Sequence, residues 1–313
     1  MTYPPHVGFL GLGQMGGAIA ERLLGQPFQL HVYDPAPGAM DRFVAAGAVA
    51  HDSARSVGDI APVVFACLPN REVSHAAALG ANGVVHGEAI ELYADMSTIG
   101  REAIEALADG LHAHDIRTLD APVTGGPPVA RAGRLTMIVS GAPQVVERAR
   151  PLLALMGREI HVLGDRPGMA QVMKVVNNII MGANLVVAAE ALSFGARAGL
   201  DADAMLGVLR GGTGQSFAAC EILQRGIAGT FDYGAALTIL DKDMTLGLAE
   251  ARSLEAVMPA IASAQESWHA AYEAGFGRED FTAILKYVEQ RNRTLVRARA
   301  GCADATPCEQ TEV

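Results

Sequence analysis

Lys174 and Asn178 stand four residues apart in Lys174-Val-Val-Asn-Asn178, a spacing that sets both side chains on one helical face about a turn apart. From that face both reach a ligand lying along the helix. The lysine sits in a sparsely charged stretch, and desolvation lowers an amine's pKa toward the range where it exchanges a proton with an alcohol. Structural readings stay open beside this one: a lysine whose stem lies along the surface, and Asn177 and Asn178 as amides packed between helices.

A second grouping lies near the start of the chain. Gly11, Leu12, Gly13, Gln14, Met15 and Gly16 directly follow the apolar run Val7 to Leu10 and open a helix-like segment from Met15 to Leu24. In a strand–turn–helix of this kind the first glycine makes the tight turn, the second lets backbone approach a pyrophosphate, and the third lets helix and strand pack closely. Unpaired N–H groups at the helix start attract the phosphates. In a chain with 35 glycines, the hexad alone also fits an ordinary turn. The next apolar run, Leu30 to Tyr33, ends in Asp34, at about the spacing where a carboxylate accepts the adenosine-ribose hydroxyls. No Arg or Lys lies between Pro35 and Met40 to pair with a 2′-phosphate, and Asp34 repels one. NAD is therefore expected in preference to NADP.

Thr124-Gly-Gly-Pro-Pro128 presents adjacent glycines whose exposed backbone donors suit a carboxylate, although an ordinary loop has the same composition. Lys242-Asp243 fits a plain surface pair as well as a site. His31, His51 and His161 show neither triad nor ligand spacing and are read as structural. No metal site is expected, because Cys67, Cys220, Cys302 and Cys308 are scattered without finger-like spacing. Their scatter also argues against a disulfide framework and for a reducing, cytoplasmic setting.

These groups need elements to hold them. With 313 residues, 50% of them hydrophobic, the chain is long enough for two cores. Up to about Leu163, short apolar runs alternate with helix-like segments, the pattern of a parallel sheet covered by helices. Strands are expected at Val7–Leu10, Leu30–Tyr33, Val63–Leu68, Leu92–Asp95, Thr118–Asp120, Leu135–Ser140 and Ile160–Leu163. Beyond the turn at Gly164–Gly168 the spacing is helical. One proline-free helix from Met169 to Ala198 is expected to join the domains and to end at Gly199, with further helices starting near Asp201, Ser216, Ala235, Pro259 and Asp280. The expected organisation is an α/β Rossmann domain at 1–164, an all-helical domain at 165–298, and a disordered tail at 299–313. A net charge of −10 argues against nucleic acid or anionic lipid as a partner. The most apolar stretch, Lys174 to Glu190, is too short to span a bilayer, and the N-terminus lacks the basic start of a secretory signal.

Gly8-Phe-Leu-Gly-Leu-Gly-Gln-Met-Gly16 resembles the opening of the 3-hydroxyisobutyrate dehydrogenase, or β-hydroxyacid dehydrogenase, family. Cys67-Leu-Pro69, Asp95-Met-Ser-Thr-Ile99, Asp120-Ala-Pro-Val-Thr-Gly-Gly126, Lys174-Val-Val-Asn-Asn178 and Leu240-Asp-Lys-Asp243 follow in the family's order. The resemblance implies a Rossmann domain, a long connecting helix, a helical domain that builds dimers or tetramers, and reversible oxidation of a short 3-hydroxyacid. It sets Leu68, Pro69 and Thr98 beside the cofactor, Thr124, Gly125 and Gly126 at the substrate carboxylate, Lys174 as catalytic lysine and Asn178 at the substrate. It puts Lys242 and Asp243 on the closing side of the cleft, with Lys242 on the cofactor. The chain departs from the family pattern at Thr124 (usually Ser), Gly100 (usually Pro) and Ala235 (usually aromatic), so the substrate pocket is expected to differ. Imine-reducing relatives usually lack the lysine, and phosphogluconate-decarboxylating ones need a longer helical domain. A non-catalytic dinucleotide-binding or scaffolding protein is the alternative of a different class.

Overall fold

A computed structural model describes residues 3–297. Six parallel strands, β1 (His6–Leu10), β2 (Gln29–Tyr33), β3 (Val49–Ala50), β4 (Val63–Ala66), β5 (Leu92–Asp95) and β6 (Arg117–Asp120), form one sheet in the order β3-β2-β1-β4-β5-β6. The strand order reverses between β1 and β4, so a crevice opens beyond their carboxyl ends, where such sheets bind ligands. Helices α1 (Gln14–Ala20), α2 (Asp41–Ala45), α3 (Ala54–Gly58), α4 (Arg71–Leu79), α5 (Arg101–His112), α6 (Gly126–Arg131) and α7 (Pro143–Met156) accompany this half of the chain. Val63-Val-Phe-Ala66 is buried throughout, as expected of a parallel strand covered on both faces.

The later strands do not extend that sheet. β7 (Val123–Thr124), β8 (Leu135–Val139) and β9 (Gly157–Val162) form a second sheet in the order β7-β8-β9, with β7 antiparallel to β8 and β8 parallel to β9. An antiparallel bridge, Asp120 to Ser140, connects the two sheets. The two-residue strands β3 and β7 are additions to the sequence reading, since so short a run carries no alternation to detect.

The remainder of the described chain is helical: α8 (Met169–Arg197), α9 (Ala202–Gly211), α10 (Gln224–Ile227), α11 (Leu237–Ser253), α12 (Pro259–Ala271) and α13 (Ile284–Asn292), with short π and 3₁₀ turns between them. Asp201 caps α9 by accepting from the N–H groups of Asp203 and Ala204. Helix α8 ends as the sequence suggests. Gly199 has φ +95°, Leu200 N–H reaches Gly195 O and Gly199 N–H reaches Ala196 O, both at 3.0 Å, which satisfies carbonyls the helix end leaves open.

Helix α8 has 29 residues, more than the apolar stretch read from the sequence, and by length and composition alone it is able to cross a bilayer. Half of its apolar window is instead buried inside the protein, where it packs against α11, α12 and α13. Gly182 permits this approach, since a Cβ there would lie 2.5 Å from Met244 Sδ, and its carbonyl accepts from Trp268 Nε1 at 3.1 Å. The proposed tail, 299–313, lies outside the described residues.

Candidate active site

The glycine hexad turns as its spacing requires. Gly11 has φ +85°, and a Cβ there would lie 2.4 Å from Cys67 O; at Gly16 it would lie 2.1 Å from Gly11 O. Both positions therefore exclude a side chain. Gly13 is different, because a Cβ there meets nothing within 4 Å. That open side, at the exposed start of α1, is the room a pyrophosphate needs beside free helix donors. Gln14 is exposed and Met15 half-buried, whereas the Leu12 side chain belongs to the core. Leu12 meets Asp34 through its backbone, whose N–H donates to Asp34 Oδ2 at 2.7 Å. Ala36 N–H donates to Asp34 Oδ1 at 2.8 Å, so the carboxylate is fixed at the tip of β2 beside the hexad. The next base along the chain, Arg42, is tied to Glu21 at 2.9 Å beside Gly17.

Across the crevice, Leu68 packs against the Gly11 turn and its N–H donates to Ser97 Oγ at 2.8 Å. Pro69 is exposed and Thr98 half-buried. The start of α8 is anchored to this region by side chains at the ends of β6 and β8. Asp120 Oδ2 accepts from Gly168 N–H (2.9 Å) and Gln171 N–H (3.2 Å), and Ser140 Oγ accepts from Ala170 N–H (3.0 Å). These bonds satisfy amides a helix start leaves without partners, and they hold the register of everything a turn further on.

The next turn of α8 brings several polar side chains together. Asn177 Nδ2 donates to Thr124 Oγ1 at 3.2 Å and to Asn178 Oδ1 at 3.0 Å; Asn178 Nδ2 donates to Asp243 Oδ2 at 2.6 Å. Lys242 Nζ approaches Asp243 Oδ1 at 2.9 Å as an ion pair without hydrogen-bond angles, and donates to Thr98 O at 2.7 Å. A continuous polar path thus runs from Thr124 of the glycine loop to Thr98 of the dinucleotide side. Lys174 lies one helical turn from Asn178, and among the described residues its amine makes no hydrogen bond or ion pair. Burial, with a further push from Lys242, holds that amine below the usual lysine value, and Asp243 opposes the shift. Burial, aided by Asp95, pushes the Cys67 thiol up to about 12, so it stays a neutral thiol. Burial also raises Asp95 to about 6 against the hydrogen bonds from Ser97.

The structure brings Thr124, Lys174, Asn178, Lys242, Asp243 and Thr98 together. Ala235 is placed by its backbone, whose N–H contacts Asp280 Oδ2 at 3.4 Å and whose carbonyl accepts from Phe281 N–H at 2.9 Å. The side chain against Gly126 is instead that of Tyr233, whose hydroxyl donates to Gly125 O, a contact that no local pattern in the sequence shows. Gln171 is a second residue without a sequence signal. It is fully buried; its Oε1 accepts from Ile99 N–H (3.0 Å) and Gly100 N–H (3.1 Å), and its Nε2 donates to Ser97 O (3.0 Å) and Asp120 Oδ1 (2.9 Å). This explains one family departure: Gly100, with φ +89° and a bonded N–H, is a position proline cannot take. His31 is structural as expected, but it sits in a row, bonded to His6 at 3.0 Å and His51 at 2.8 Å.

A doubly wound sheet with a glycine-rich first turn, joined through one long helix to a helical half that returns a lysine to the crevice, defines a dinucleotide-linked oxidoreductase. Residues 6–164 match the NAD binding domain of 6-phosphogluconate dehydrogenase, and residues 168–288 match the NAD-binding region of NADP-dependent 3-hydroxyisobutyrate dehydrogenase. The chain is 35% identical to 3-hydroxyisobutyrate dehydrogenase of Pseudomonas aeruginosa over 90% of its own length and 97% of that protein's. It is 31% identical to 2-(hydroxymethyl)glutarate dehydrogenase of Eubacterium barkeri over 91% and 95% of the two chains. The solved structure of 3-hydroxyisobutyrate dehydrogenase from Salmonella typhimurium is similar to it with a TM-score of 0.83 and 28% identity, over 90% of this chain and 99% of that one. The chain belongs to the 3-hydroxyisobutyrate dehydrogenase, or β-hydroxyacid dehydrogenase, family, and it is a hydroxyacid dehydrogenase that binds a nicotinamide dinucleotide.

Proposed function

We propose that this dehydrogenase oxidises a short 3-hydroxyacid reversibly, with NAD preferred over NADP and Lys174 exchanging the hydroxyl proton. The observation that carries the reading is the Lys174 amine: unpaired among the described residues, desolvated, and one turn from Asn178. The dinucleotide, when bound, supplies the hydride acceptor. Gly13 and the α1 start face its pyrophosphate, and Asp34 its adenosine ribose. Thr124, Gly125 and Gly126 hold the substrate carboxylate on backbone and hydroxyl donors. In oxidation neutral Lys174 takes the hydroxyl proton as hydride leaves the carbinol carbon; in reduction its ammonium returns that proton. Asn178, fixed by Asp243, orients the hydroxyl. NAD preference rests on Asp34 and on Arg42 being occupied by Glu21.

A homo-oligomer in the cytoplasm is proposed with this activity. Met173, Val176, Ile180, Val187 and Phe194 leave an apolar stripe along α8 exposed, Phe194 at 74%, and such a face is suited to a second copy of the chain. The test of function is a turnover screen of 3-hydroxyacids graded by substituent size, run with NAD and with NADP. Turnover at least tenfold more efficient with NAD, about 1.4 kcal/mol, is expected; equal efficiency sinks the cofactor preference, and no turnover on the panel sinks the substrate class.

A further inference from the structure

We propose that Tyr233 is a substrate-positioning residue, whose phenol O–H turns from the Gly125 carbonyl to the carboxylate of a bound hydroxyacid. The proposal rests on reading Thr124–Gly126 as the carboxylate loop.

Tyr233 lies 108 residues from that loop in sequence and reaches it from the segment leading into α11. Its hydroxyl donates to Gly125 O at 3.2 Å. Its ring occupies the space a side chain on Gly126 would fill: a Cβ there would lie 2.7 Å from Tyr233 Cε1 and 3.0 Å from the phenol oxygen. Gly125 and Gly126 have φ +136° and +77°, so the loop needs glycine for its backbone and the tyrosine takes the volume thereby left. The Phe281 ring, 5.3 Å away centroid to centroid, backs the phenol from the helical half.

A bond of 3.2 Å to a neutral carbonyl is long for an O–H donor, and an ionised carboxylate is a stronger acceptor at shorter range. Burial raises the phenol above its ordinary value, which keeps the proton on the oxygen and the group a donor. A carboxylate laid on the Gly125–Gly126 amides arrives beside this hydroxyl, and a small rotation moves the donor onto it. The same stretch of chain then serves both ends of the cleft, Tyr233 at the carboxylate and Lys242 at Thr98 O.

Steady-state kinetics of wild type, Tyr233→Phe and Tyr233→Leu, on whichever 3-hydroxyacid the wild type turns over best and on its methyl ester, test this. Tyr233→Phe keeps the ring against Gly126 and Phe281 and removes only the donor. Its KM for the free acid is expected to rise about tenfold, as for a lost hydrogen bond to a charged group, with kcat within about twofold and KM for NAD unchanged. The ester, whose charge is gone, is expected to lose less than about threefold. Tyr233→Leu should raise the acid KM further. Equal shifts for acid and ester, or no shift in Tyr233→Phe, overturn the role of Tyr233 while leaving the hydroxyacid reading in place. A wild type that turns over no hydroxyacid removes both.

Discussion

Asn178 donates its side-chain amide to Asp243 at 2.6 Å, joining the long helix to α11 one helical turn from Lys174. Both side chains are buried, at 5% and 3% exposure, so each is the other's replacement for water. Asn178→Ala leaves Asp243 Oδ2 without that donor and Asn177 without its partner at Asn178. Loss of one side of a buried pair is worth about 1–3 kcal/mol. Asn178→Ala and Asp243→Ala are each expected to lower unfolding stability in that range in urea titrations. Their double variant should lose at least about 1 kcal/mol less than the sum, because contacting partners couple. Strict additivity would falsify the direct link.

Lys174→Ala is expected to remove about 10²- to 10⁴-fold of turnover, the usual share of a general acid–base group, while NAD affinity by fluorescence titration stays within about twofold. The hexad and Asp34 lie on the other side of the cleft and keep their geometry without the lysine. More than half the wild-type rate surviving, with chemistry limiting, rules the lysine out as proton carrier.

Because burial lowers the Lys174 pKa, the wild-type profile for oxidation should rise with pH through a limb centred below the ordinary lysine value, since oxidation needs the neutral amine. Reduction, which needs the ammonium, should fall through the same limb. Asp243 holds that pKa up, so Asp243→Asn should move the limb toward acid. A limb unmoved by Asp243→Asn argues that another group titrates.

The histidine row predicts an acid limit on stability. Burial, then repulsion from His51 and His6, lowers His31 to about 4, below the about 6.5 of an unfolded chain. A depressed histidine favours its neutral form in the fold, so its stabilising contribution is present above pH 6.5 and is lost as pH falls toward 4. Melting temperature should decline over that window more steeply in wild type than in His31→Gln, which has no charge to gain. Parallel curves for the two proteins would remove His31 from the acid transition.

Much of this fold is legible along the chain because it is written in local patterns. The Gly11–Gly16 turn, Asp34 at the end of β2 and the Met169–Gly199 helix each declare themselves within a few residues. Lys174 and Asn178 share a face by spacing alone. Tyr233 and Gln171 do not, since what defines them is a contact with Gly125 or with Ser97 and Asp120 that only the folded chain creates. The second sheet was hidden for the same reason: β8 has the composition of a parallel core strand, and only its pairing with β7 and β9 separates it from β6. Gly100 looks like a simple departure until its positive φ and its bond to Gln171 give it a cause.

Gln171 supplies the last expectation. Its side-chain amide binds the Ser97–Gly100 segment to Asp120, whose other oxygen accepts from the Gln171 backbone N–H, so it fixes that loop relative to Lys174 one turn away. Gln171→Leu has similar bulk and no polar atoms, and it strands two N–H donors, one carbonyl and one carboxylate oxygen at a site with no solvent access. At about 1–3 kcal/mol for each buried group left unpaired, with some relaxation, a loss of at least about 3 kcal/mol in urea unfolding is expected. Gln171→Glu retains an acceptor for Ile99 and Gly100 but faces Asp120 with a second acid, so it should be destabilised more at pH 8 than at pH 5. Because Thr98 hangs from the anchored segment and its carbonyl receives Lys242, both variants should also raise KM for NAD. Unfolding curves at the two pH values, with NAD titrations on the folded fraction, check this. A Gln171→Leu protein of wild-type stability and NAD affinity means the amide does not set the position of that loop.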